Sequence, residues 1–254
     1  MRSTTERNAT VERRRGHDKV GSIVRVHSAE EAASACDPAA WPRARQMDIW
    51  KGYWLRYLRL FRRKESYLAR VGWLRSARSG KPVDADGEPI PWMNYPVTAF
   101  LRDRLRPDID LFEYGSGQST HFFARRVRSV TSVEYDRQWY EAVSAEAAGN
   151  VHIHFRDGSQ GADYEATIGE TEQSFDVVII DGANRPECLT HATGALTPGG
   201  VILIDDSDRP DYEEALDQAR ELGFRTLDFE GLKPCNHKLY RSTVLYRDGN
   251  CLGL

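Results

Sequence analysis

Two stretches of this chain, Phe175-Asp176-Val177-Val178-Ile179-Ile180 and Val201-Ile202-Leu203-Ile204, are near-continuous runs of apolar, mostly branched residues. A strand with one wet face alternates apolar and polar residues, so an unbroken run marks a parallel strand covered on both faces. Parallel strands need crossover connections, and the sequence between the runs supplies them. Helical patterns are expected over Val97–Leu105, Thr120–Val127, Arg137–Ala147, Ala162–Ile168, Pro186–Leu196 and Asp211–Leu222. Strands are expected to end near Glu113, Glu134, Arg156, Asp181, Asp205 and Phe229, with a last strand from Thr243 to Tyr246. Such alternation predicts right-handed crossovers and a seven-stranded, mostly parallel sheet in a three-layer α/β/α sandwich.

In a sheet of this kind the strands deliver their last residues to one edge, where ligands bind. The richest stretch at that edge is Leu111-Phe112-Glu113-Tyr114-Gly115-Ser116-Gly117-Gln118-Ser119-Thr120. The glycines allow a sharp turn and a close approach of bare backbone to a ligand. Ser119 and Thr120 read as N-caps of the following helix. The next strand, Val130-Thr131-Ser132-Val133-Glu134, closes on a second acid. Its distance of about 20 residues from the first suits an acid that accepts both hydroxyls of a ribose. The third glycine of the dinucleotide fingerprint is lacking, with His121 and Phe122 in that region, so pyrophosphate is not the favoured ligand. Six carboxylates fall at the same rim, Glu113, Glu134, Asp157, Asp181, Asp205 and Asp206. So many acids need a cation, hydroxyls or amide donors to satisfy them.

At these residues the chain resembles the class I S-adenosylmethionine-dependent methyltransferases, over roughly Pro91 to Arg247. The resemblance implies a Rossmann-like fold and S-adenosylmethionine as cofactor. It implies that Glu113, Gly115, Ser116, Gly117, Ser119 and Thr120 hold the amino-acid half of that cofactor, and that Glu134 takes the ribose. By the same resemblance Asp157, with Gly158, accepts the adenine amino group, and Tyr135 lies against the purine. Asp157-Gly158 is equally a routine turn. Trp92, Asn94 and Tyr95 precede the first strand, where the family's layout makes them a roof over the cofactor, although an aromatic loop there also serves ordinary packing.

Asp181, Asp205 and Asp206 are similar to the Mg2+-binding acids of catechol-type and macrocin-type (sugar) O-methyltransferases. Oxygen ligands suit a hard cation of this sort. In the metal-free alternative Asp205 and Asp206 cap the next turn. Where those enzymes carry a lysine or histidine shortly after the first acid, this chain has Asn184 and Arg185. The general base is therefore open between Asp181 and His237. The resemblance implies transfer of a methyl group to a hydroxyl, or an amine, of a small molecule such as a sugar or natural product. The alternatives are an RNA methyltransferase and a cofactor-binding protein without turnover.

The rest of the chain bounds the reading. Residues 1–36 are polar and Arg-rich, and are expected to form a disordered tail. Residues 37–90 form a basic, aromatic helical extension and linker, in which Trp50, Tyr53, Trp54, Tyr57, Leu58 and Phe61 recur at helical spacing. That face suits packing on the main domain or on a second copy in a homodimer, docking of an anionic substrate such as nucleic acid, or a membrane surface. The base-amine motif Asn/Asp-Pro-Pro-aromatic is missing, because the position reads Asp181-Gly182-Ala183-Asn184, which makes nucleic acid the poorer fit. The remaining residues, 91–254, make the methyltransferase-like domain. No apolar run reaches the roughly 18 residues of a membrane span. The four cysteines, Cys36, Cys188, Cys235 and Cys251, form no Cys-x-x-Cys pair and read as reduced thiols of a cytoplasmic protein.

Overall fold

The apolar runs become the centre of the sheet. A computed structural model describes residues 43–157 and 162–254, with side chains from residue 52 onward. The expected tail, Cys36 and Gly158 lie outside the described residues. Among the described residues the sheet has seven strands, β1 (Asp110–Tyr114), β2 (Ser129–Glu134), β3 (Val151–Phe155), β4 (Phe175–Ile180), β5 (Leu196–Asp205), β6 (Arg225–Gly231) and β7 (Tyr240–Tyr246). They lie in the order β3-β2-β1-β4-β5-β7-β6, and β7 alone runs antiparallel to both its neighbours.

The side-chain alternation explains why β4 and β5 carry no polar face. Val177, Ile179, Val201 and Leu203 enter one core, together with Leu111 and Val244. Val178, Ile180, Ile202 and Ile204 enter the opposite core with Phe112 and Leu245. Helices cover both. On the first face lie α4 (Tyr95–Arg104) and α5 (Gln118–Ala124), through Val97, Leu101, Phe122 and Phe123. On the second lie α7 (Ala162–Glu170), α8 (Arg185–Gly194) and α9 (Glu213–Glu221), through Ile168, Leu189 and Leu216. The result is the three-layer, Rossmann-like sandwich that the sequence predicts.

Residues Leu55–Leu254 form one compact unit. The long helical stretch breaks into α1 (Arg43–Arg62), α2 (Tyr67–Arg70) and α3 (Trp73–Ser79). Ser66 caps α2 by accepting from the Ala69 amide, and Gly72 takes a left-handed conformation that only glycine adopts freely. Within the compact unit Phe61 meets the edge of Trp73, whose indole donates to the Asn236 carbonyl at 2.8 Å. Ile90 is buried in the first core, and Val71 and Trp73 pack against it, so that core draws on residues before 91. Among the described residues no helix is long and apolar enough to cross a membrane.

Candidate active site at the carboxyl edge of the sheet

The glycine turn after β1 is held from below. Thr120 Oγ1 accepts from the Gly117 amide at 2.9 Å and donates to Glu113 Oε2 at 2.6 Å. Helix α5 starts at Gln118, with Gly117 as its N-cap. Ser119 and Thr120 are thus inside the helix, and the capping role expected of them is corrected: Thr120 reaches back to Gly117 from the first turn. Glu113 and Thr120 are fully buried, and neither borders the cavity described below. Burial pushes the Glu113 carboxyl up to about 8, with the Glu134 charge adding and the Ser119 and Thr120 hydroxyls opposing. Its Oε1 and the neighbouring Ser132 Oγ are buried without a hydrogen-bond partner.

Glu134 closes the turn from the side. Its Oε2 accepts from the Ser116 amide at 2.9 Å and the Ser116 hydroxyl at 3.1 Å. Its Oε1 accepts from the amides of Tyr135 and Asp136 at 2.9 and 3.0 Å. Four donors fill a carboxylate. A ribose meeting Glu134 therefore competes with the Ser116 hydroxyl, the donor most able to rotate away. The Gly115 amide is likewise spent, on the Val133 carbonyl at 2.9 Å. Three successive amides of the turn point into the fold, so this is not a cradle for phosphate.

Close packing fixes the opposite wall. Gly115 has φ +90°, and a Cβ built there would stand 2.9 Å from the Gly182 Cα. A Cβ on Gly182 would meet the Tyr164 hydroxyl at 2.0 Å and the Gly115 amide nitrogen at 3.0 Å. The β1 and β4 loops touch backbone to backbone, and both glycines are required.

A cavity of about 740 Å3 opens over this turn. Gly115, Ser116, Gly117, Ser119, Glu134, Tyr135 and Asp181, all expected from the sequence, border it. Trp139 completes it. Asp136 caps α6 (Arg137–Ala145) by accepting from the Trp139 amide at 2.8 Å, and the Trp139 indole donates to the Ser116 carbonyl at 2.6 Å. Sequence reading missed Trp139; the Asp-x-x-Trp step just beyond Glu134 was its one signal. Trp92 also borders the cavity, whereas Tyr95 does not. Tyr95 is buried, and burial raises its phenol far above the ordinary value. Asp157 and His237 are exposed and outside the cavity.

The three aspartates at the tips of β4 and β5 do converge, but onto cations of the chain itself. Arg185 Nη2 lies 3.1 Å from Asp181 Oδ1, and its Nη1 lies 3.4 Å from Asp206 Oδ2 and 3.8 Å from Asp205 Oδ2. Arg185 also donates to the carbonyls of Gly182, Asp181 and Asp205. Lys233, from the β6–β7 loop, bonds both Asp205 Oδ2 and Asp206 Oδ1. Asp205 Oδ1 accepts from Ser242 Oγ at 2.6 Å, which in turn accepts from Asn94 Nδ2 at 2.8 Å. The expected Mg2+ site is therefore not supported. Lysine and arginine take the donor oxygens, and among the described residues no group of three His, Cys, Asp or Glu is placed to hold a metal. Asp181 keeps its proton to a higher pH than an ordinary aspartate, because of burial and the nearby Asp205 charge, against the pull of Arg185 and Lys233.

Neither a family model nor a curated protein sequence matches the chain. Solved structures share the arrangement at low identity. A precorrin-6y C5,15-methyltransferase from Geobacter metallireducens is 14% identical, with 61% of this chain and 88% of that one covered and a TM-score of 0.47. An rRNA methylase from Streptococcus thermophilus is 18% identical over 60% and 96% of the two chains, at 0.44. SMU.1697c, a putative methyltransferase of Streptococcus mutans in complex with SAH, is 16% identical over 60% and 98%, at 0.45. Likeness at this level assigns neither a reaction nor a substrate.

Proposed function

We propose that this chain is an S-adenosylmethionine-dependent methyltransferase acting on a hydroxyl, or secondarily an amine, of a small molecule. The observation that carries the reading is the cavity over the Gly115-Ser116-Gly117 turn, between the tips of β1, β2 and β4, with Glu134 and Asp181 on its walls. Its volume falls in the range of small-ligand sites, roughly 300–1,000 Å3.

The residues fit this cofactor in three respects. With the turn's amides engaged inward, the site offers no cradle to a phosphate, which this cofactor lacks. Glu134, Asp136, Glu146 and Asp181 border the cavity against only Lys81 and Arg185, an acidic excess that suits a ligand carrying a sulfonium and an ammonium. Tyr135, Trp139 and Trp92 supply aromatic surface for a purine.

S-adenosylmethionine supplies an electrophilic methyl group, which an acceptor oxygen or nitrogen takes in line. The chain's work is then to hold the acceptor against that methyl and to receive a proton. Asp181 is the acid placed for this. It borders the cavity, Arg185 fixes its orientation, and its raised pKa brings it closer to the working range of a general base.

Isothermal titration with S-adenosylmethionine and S-adenosylhomocysteine tests the reading. A dissociation constant of about 1–10 μM is expected, near −8 to −7 kcal/mol. Glu134→Gln weakens binding while a cooperative melt shows that the fold persists. No saturable binding of either nucleoside at millimolar concentration refutes the assignment.

A further inference from the structure

We infer that Lys233 and Arg185 are the resident cations of the strand-tip aspartates. They stand where a divalent ion would otherwise bind, and they keep one out.

The geometry leaves no coordination sphere. A hard divalent ion needs six or more oxygens and open positions for water. Asp205 is fully buried, with one oxygen on Ser242 and the other on Lys233. Asp206 spends Oδ1 on Lys233, while Arg185 and Arg209 lie at 3.4 and 3.5 Å from its Oδ2. Asp181 has Arg185 on Oδ1. The Lys233 side chain is only 5% exposed, and its ammonium lies 4.8 Å from the centre of the Tyr240 ring. An ammonium so enclosed stays only if it is paired, and removing it strands two carboxylates.

The backbone is committed to the same arrangement. Of the four non-glycine residues at positive φ among those described, three flank the cluster: Asn184 beside Arg185, Asp206 itself, and Cys235 two residues after Lys233. Each such conformation persists only where surroundings enforce it. Here it turns the β4, β5 and β6–β7 loops toward one another.

The inference does not depend on what fills the cavity. One consequence does rest on the methyl-transfer reading: an acceptor positioned by Asp181 and Arg185 need not carry two adjacent hydroxyls to chelate a metal.

Mn2+ titration followed by electron paramagnetic resonance, with melting in Mg2+ or chelator, tests the inference on the full chain. Wild-type protein is expected to leave the free-Mn2+ signal unchanged and its melting point unmoved. Lys233→Ser is expected to gain a saturable site at least about ten-fold tighter than any wild-type binding, and Mn2+ is expected to raise its melting point. A merely structural lysine would lower stability without creating metal affinity. Saturable one-to-one Mn2+ binding by wild type that Asp205→Asn abolishes overturns the inference. So does a folded Lys233→Ser that ignores Mn2+. If Lys233→Ser does not fold, the wild-type titration decides alone. Nucleoside binding is read separately, so failure of the cofactor assignment leaves this result standing.

Discussion

Glu113 is a buried carboxyl that folding forces to hold its proton, and this has a measurable signature. Its ordinary value is 4.5, and burial lifts it to about 8 in the fold. The unfolded chain gives up this proton near 4.5 and the folded chain only near 8, so the folded state binds more protons between those values. Stability contributed by the neutral form is complete below the unfolded value and drains away as pH rises through the folded one. The slope is about 1.4 kcal/mol per pH unit, and the full interval amounts to at most about 5 kcal/mol. That is a large share of a typical stability of roughly 5–15 kcal/mol. Glu113→Gln keeps the shape and removes the titration. Its carbonyl can accept from Thr120 Oγ1, while its amide faces the Ser119 and Ser132 hydroxyls, the latter otherwise unpartnered. Urea unfolding of both proteins from about pH 5 to pH 8.5 should show the variant gaining on wild type steadily with pH. Parallel curves refute the claim that Glu113 is neutral in the fold, and so does a variant that loses ground as pH rises.

The two remaining predictions concern the cavity walls. Gly182→Ala places a methyl against the Tyr164 hydroxyl and the Gly115 backbone; a loss of about 1–3 kcal/mol is expected, read as a lower melting point together with lost S-adenosylmethionine binding. Trp139→Ala removes the bond to the Ser116 carbonyl and the half-exposed ring wall; affinity should fall by about 1 kcal/mol with little change in melting, and Trp139→Phe should recover the share due to the ring.

The sandwich was legible because apolar runs and glycine turns are local signals. Val177–Ile180 and Val201–Ile204 could be placed as central strands without knowing any partner. The antiparallel β7 was less legible, since Thr243 to Tyr246 alternates no differently from an edge strand. Helix starts were misjudged at Thr120 because a threonine at the end of the first turn can cap backwards, which composition does not reveal. At the rim, sequence showed Glu134, Asp181, Asp205 and Asp206 at strand ends but not what faces them. Arg185 sits four residues from Asp181 and was visible as a departure from the metal-binding pattern. Lys233 is 28 residues beyond Asp205, on a loop whose path depends on β7 inserting between β5 and β6, so no local pattern foretells it.

The same contrast explains how one sheet edge carries two differently built acidic sites. Over β1 and β2 the acids are satisfied by neutral donors: amides and hydroxyls fill Glu134, and a threonine and a retained proton serve Glu113. Neutral donors leave the cavity's negative potential intact, which is what a cationic ligand requires. Over β4 and β5 the acids are satisfied by charge, but three carboxylates face two enclosed cations, Arg185 and Lys233. Arg209, half-exposed, supplies a third cation at 3.5 Å from Asp206 Oδ2. Asp181 is the member of the trio that borders the cavity, and burial with the nearby Asp205 charge raises its pKa. Exchanging the two internal cations for a divalent ion would preserve the formal charge but need open water positions beside a fully buried Asp205. The fold has instead closed that space with a lysine and left Asp181, paired with Arg185, at the border of the cavity.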